Sequence, residues 1–189
     1  MGRFLGQLAS DADGITIDEM KVAHFNIPAA KVVAADADGI LDGTAFGAAA
    51  SVVTTFLAQP PTPMTLTAVA SAAQTGKVTV SGFDIGGNKI SEEFTMDGTT
   101  PVVGTKAFAQ ITSVALPIKA GTETLDLGWG TGFGLPYALA ADELVLVKLF
   151  NNAADSGSVT VDATDVSKNV LALNGTADGA KAIDIYMLV

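Results

Sequence analysis

The chain has 189 residues, ten Lys and Arg against twenty Asp and Glu, a formal net charge of −10, one His and no Cys. Scattered Lys and a lone Arg give no clustered cations for a phosphate backbone, which argues against nucleic acid as a partner. The lack of Cys excludes a disulfide scaffold, a thiolate nucleophile and a cysteine zinc site. The length suits one domain with its own core, and the 49% hydrophobic content argues against disorder. Much of that content is small, with 31 Ala and only 6% aromatics. No run reaches the roughly 18–20 apolar residues that span a bilayer, so no membrane partner is expected.

The N-terminal stretch, residues 1–45, carries seven of the twenty acids and many turn signals. Met1–Ala9 breaks at Ser10-Asp11 before a secretory apolar region forms, so no export signal is expected. Gly2 lacks the Ser or Thr at the sixth position that myristoylation favours, because Gly6 stands there. Pro28–Ala35 predicts a short helix, since Pro suits a first turn and Ala favours helix. The rest of 1–45 reads as an extended, loop-rich arm, followed by a β-rich domain over 46–189.

From Ser51 the pattern is β. Ser51–Leu57 is β-branched, and Met64–Val69 and Lys77–Phe83 alternate apolar with polar residues. Asp84–Asn88 turns the chain and Lys89–Met96 returns it, a hairpin whose Gly-Gly-Asn tolerates positive φ. Phe108–Leu116 and Thr124–Gly130 read as further strands. Glu143–Phe150 is nearly continuous in apolar residues and reads as a central strand; Ser158–Ala163, Val170–Leu173 and Ala182–Val189 follow, so Val189 should be ordered. Short strands with frequent turns, and no long helix, predict an all-β fold: an antiparallel β-sandwich or β-barrel.

Several groups invite a chemical reading. Asp11-Ala12-Asp13-Gly14 and Asp36-Ala37-Asp38-Gly39 resemble the opening of a calcium loop, but neither supplies both the third oxygen ligand and the Glu at the twelfth position. A pair of Asp-Gly turns is the preferred reading of Asp11, Asp13, Asp36 and Asp38, with calcium as the alternative, and no metal or cofactor is assigned. Gly128, Gly130, Gly132 and Gly134 alternate in Gly128–Pro136, without the spacing of a dinucleotide or phosphate loop. Alternating Gly strips one strand face, so another backbone can approach closely at an interface or a tight barrel corner. Glu92-Glu93 and Asp142-Glu143 are adjacent carboxylates. On a strand they point to opposite faces and cannot converge on one bond. His24 has no partner at ligand spacing, and no Gly-x-Ser-x-Gly occurs. No catalytic set is assigned, so the chain is not expected to be an enzyme.

Thr75–Asp84, Gly87–Phe94, Gly104–Phe108, Ile111–Val114, Gly128-Trp129-Gly130 and Gly134–Tyr137 occur in an order that resembles tailed-bacteriophage capsid decoration proteins, also called head auxiliary or cement proteins. The resemblance runs from about Met20 to Val189. It implies a structural virion protein on the outer capsid surface, made in the host cytoplasm. It also implies a homotrimer that binds the major capsid protein and stabilises the shell. The alternative is a phage tail or fibre module that binds a receptor or glycan through exposed aromatics, for which Trp129, Tyr137 and Tyr186 are the available Trp and Tyr residues.

Overall fold

The computed structural model describes residues 8–9, 16–17 and 21–189. Among them the strands are β1 (Leu8–Ala9), β2 (Thr16–Ile17), β3 (Val22–Ile27), β4 (Asp36–Ala45), β5 (Ser51–Val53), β6 (Met64–Ala70), β7 (Lys77–Phe83) and β8 (Lys89–Thr95). They continue as β9 (Val102–Phe108), β10 (Gln110–Leu116), β11 (Thr124–Gly134), β12 (Val145–Phe150), β13 (Ala153–Ala154), β14 (Ser158–Thr160), β15 (Val170–Ala172) and β16 (Ile183–Leu188). The helical segments among the described residues are 3-10 turns at Ala29–Lys31, Asp142–Leu144 and Val166–Lys168.

The fold is all-β, as expected, and every strand pairing is antiparallel. One sheet runs β5-β10-β7-β8; a larger one runs β14-β15-β11-β6-β9 with β4 also on β11; a third runs β13-β12-β16-β3; and β1 pairs with β2. The sandwich-or-barrel alternative resolves into antiparallel sheets with a curled half-barrel. Phe94, Phe108, Phe133, Met64, Leu66, Leu125 and Leu127 fill its core. Ile27, Ile183, Ile185 and Met187 belong to the same apolar cluster, so the third sheet closes onto that core.

Strand β11 organises the large sheet. On one side it pairs with β6; on the other it pairs first with β4 (Thr124–Trp129) and then with β15 (Gly132–Gly134). Its glycines make these approaches possible. A Cβ at Gly128 would overlap the Asp36 carbonyl oxygen, and one at Gly132 would lie 2.6 Å from Val170 Cγ1. The backbone that comes close is therefore the chain's own, and the intrachain reading of the alternating Gly replaces an intermolecular interface at these positions.

Local differences from the sequence reading are informative. The Pro28–Ala35 helix is a single 3-10 turn, Ala29–Lys31, with Pro28 extended before it. Within 22–45, β3 and β4 are ordered strands paired to β16 and β11. Glu143 stands in the 3-10 turn Asp142–Leu144, and the strand starts at Val145. Strand β12 is only half covered: Leu146 is 48% and Val147 41% exposed, so its apolar run reflects a surface and not a twice-buried central strand. The expected hairpin of β7 and β8 is present, with Lys77 opposite Thr95 through Phe83 opposite Lys89 and Gly87 at φ +77 in the turn. Val189 exchanges backbone hydrogen bonds with Lys21, so the last residue is ordered.

Candidate functional site

Carboxylates are the commonest ionisable groups of this chain. Asp36 and Asp38 begin β4, and the Asp38 amide donates to Asp36 Oδ1 at 3.4 Å. Hydrogen bonding to Asp36, with burial and the charges of Asp36 and Asp42, raises the Asp38 pKa. Among the described residues no group of three or more His, Asp or Glu side chains is set to hold a metal ion. Asp11 and Asp13, like Gly2 and Gly6, lie outside the described residues.

The paired acids separate as the strand argument requires. Glu93 is exposed and meets Lys77 at 2.5 Å. Glu92 turns the other way and accepts from the Thr105 amide (2.6 Å), the Thr105 hydroxyl (3.0 Å) and the Lys106 amide (3.3 Å). It thereby stands in for a backbone ladder between β8 and β9, and Gly104 leaves the space in which its carboxylate lies. Asp142 and Glu143 are exposed on their 3-10 turn.

His24 does have a carboxylate partner, across 160 residues of chain. Its Nε2 lies 2.7 Å from Asp184 Oδ1, and its ring stacks on Tyr186 at 4.6 Å. Asn26 Nδ2 donates to the same oxygen at 2.9 Å. The His24 and then the Asn26 hydrogen bonds hold Asp184 below the usual carboxylate range. Only the register of β3 on β16, His24 opposite Tyr186 and Asn26 opposite Asp184, reveals this cluster.

Sequence reasoning assigns no role to the loop around Asn169, which is the best-built polar feature. Asn169 is fully buried. Its amide donates to the carbonyls of Asp162 (2.8 Å) and Asp165 (2.9 Å), and its Oδ1 accepts from the amides of Leu139 (3.0 Å) and Asp162 (3.1 Å). Asp162 is held well below the ordinary carboxylate range, first by the Thr164 amide and hydroxyl, then by the Asp165 amide, with a hydrogen bond from Lys168 adding to them. Asp165 caps the 3-10 turn through the Ser167 amide. Asp followed within a few residues by Thr or Ser is the available sequence signal of such turns. Buried Glu123 is likewise turned inward and takes a hydrogen bond from Gln74 Nε2 at 3.1 Å. Burial pushes its pKa up, but backbone amides, including that of Ala120, outweigh it and lower the value.

A cavity of about 360 Å³ opens where β11 exchanges β4 for β15, lined by Val33, Ala35, Thr131, Phe133, Leu173 and Ala177. Trp129 is buried, donates from Nε1 to the Ala34 carbonyl at 3.1 Å and lies against Gly39. It offers no exposed face to a sugar, whereas Tyr137 is 40% exposed and Tyr186 half-buried. Exposed apolar side chains among the described residues include Val22, Val52, Leu57, Val103, Ile118, Leu146, Val147 and Val189, with Leu57 reaching 71%. Val22 and Val147 share the outer side of the third sheet with Tyr186 and Leu188, by their registers opposite β16.

These features define a class: an antiparallel all-β protein with several carboxylates bound to its own backbone and with apolar side chains exposed on its exterior. Comparison with family models, curated proteins and solved structures returns no match.

Proposed function

We propose that the chain is a capsid-surface protein that binds the outside of an expanded phage-type shell and stabilises it, with the shell-forming capsid protein as its partner. The observation that carries this reading is the exterior: Val22, Val52, Leu57, Val103 and Ile118 are each 60% or more exposed on a frame of short, paired strands. Scattered single apolar residues are ordinary on any surface, but burying several of them against a partner supplies contact energy without catalytic groups. The resemblance to decoration proteins supports the same reading. The charge of −10 fits a surface that faces solvent or meets basic patches on the shell. Co-sedimentation of the purified protein with expanded, undecorated shells tests it. Saturable binding is expected, and lack of binding contradicts it.

A further inference from the structure

Strand edges are where β proteins attract other strands, and natural proteins guard them by shortness, charge, Pro or cover. Most edges of this fold are guarded. Strands β13, β5 and β14 have two or three residues. Strand β4 carries Asp36, Asp38 and Asp42, and its Ile40 carbonyl takes the Leu57 amide. Strands β8 and β9 close on each other through Glu92. Strand β3 differs. It has six residues, Val-Ala-His-Phe-Asn-Ile, with no Pro, Lys or carboxylate, and among the described residues only β16 pairs with it.

The ladder tells which groups that edge offers. Lys21 and Val189 exchange both backbone hydrogen bonds. Residues alternate along an antiparallel pair, so Ala23, Phe25 and Ile27 also bond toward β16. Val22, His24 and Asn26 therefore point their N–H and C=O groups to the open side. We propose that this edge pairs with the same edge of a second copy across a two-fold axis, extending the third sheet through both chains.

The register follows from the pattern. With His24 opposite the partner's His24, Val22 faces the partner's Asn26 and Asn26 the partner's Val22, and each pair exchanges both backbone bonds. Self-pairing centred on Ala23 or Phe25 leaves one of the three outward residues beyond the overlap. The His24 register also sets Ala23 opposite the partner's Phe25, small against large, and covers a Phe25 ring that is only half-buried in one copy. Two chains of net charge −10 repel, and β3 lets them meet along a strand that carries no acid. Asp184, beside it on β16, is held by His24 and Asn26.

This inference does not rest on the capsid reading, and a two-fold pair differs from the trimer that the resemblance implies. Sedimentation equilibrium of the full chain, with hydrogen exchange read at single amides, tests it. The expected mass is twice 19.1 kDa, with the Val22, His24 and Asn26 amides protected at high protein concentration and unprotected on dilution. Val22→Pro and His24→Pro each remove an outward N–H that no strand among the described residues uses, a position where edge strands tolerate Pro. Each should weaken association at least about tenfold, while the emission of buried Trp129 stays unchanged as a report on the fold. A monomer at all concentrations overturns the proposal, as does a trimer with freely exchanging β3 amides. Proline variants that are folded and associate like the parent overturn it too, as does protection of β3 that appears only on addition of shells.

Discussion

Asn169 holds four backbone groups with one side-chain amide, and of these the Asp165 carbonyl also takes the Lys168 amide at 3.1 Å. Removing the amide leaves buried donors and acceptors without partners, which costs more than the bonds themselves contribute. Asn169→Ala should therefore destabilise the fold by about 2–4 kcal/mol, read by denaturant unfolding of Trp129 fluorescence. Acid should act on the same loop. The Asp162 pKa is lower in the folded chain than the ordinary 3.8, so its stabilisation is complete above that value. It is lost as pH falls from there toward the depressed folded value. Asp155, Asp165 and Asp184 are shifted in the same direction. Asp38 has the opposite sign: its raised pKa means that its charge opposes folding at neutral pH, and protonation relieves this. Thermal melts between pH 7 and about pH 2 should show stability falling steeply below the ordinary Asp value. Asp162→Asn should flatten that fall, and Asp38→Asn, by removing a gain of opposite sign, should make the net fall larger.

At the scale of strands, β11 and β4 explain one another. Asp36–Ala45 reads as turns because Asp and Gly are poor strand formers. It becomes a strand because the Gly128 position lets its backbone come close to β11, a tertiary fit that no local window contains. Gly128→Ala should separate the two strands and destabilise the chain by about 3 kcal/mol or more, with a red-shifted Trp129 emission as its ring loses the cover of Gly39. A Gly43→Ala control tests the assignment to sterics. Its φ of +52 strains a side chain, yet a Cβ there meets nothing, so β4 should stay paired to β11. The hairpin of β7 and β8 was legible because its alternation and its turn residues agree, with Asp84 taking the Asn88 amide at 2.8 Å. Strand β9 was not, because Val102–Phe108 holds its place partly through Glu92, a side chain from another strand. His24 and Asp184 lay out of reach for the same reason: 160 residues and a strand register separate them.

At the scale of the whole molecule, the proposed role is one of contact. Asp162, Asp165, Asp155 and Glu123 each take backbone amides. Small residues allow close approaches between strands, as at Gly132 against Val170 and at Gly134 against Ala107. What remains for a partner is the outer set of Val, Leu and Ile side chains. The central claim is that this exterior holds a shell together, and the most direct measurement is the melting temperature of expanded, undecorated shells with and without saturating protein. The account predicts a rise of several degrees that tracks occupancy, because a ligand of the assembled state stabilises it. Shells that bind the protein and melt at an unchanged temperature, or that fail to bind it, would contradict the claim.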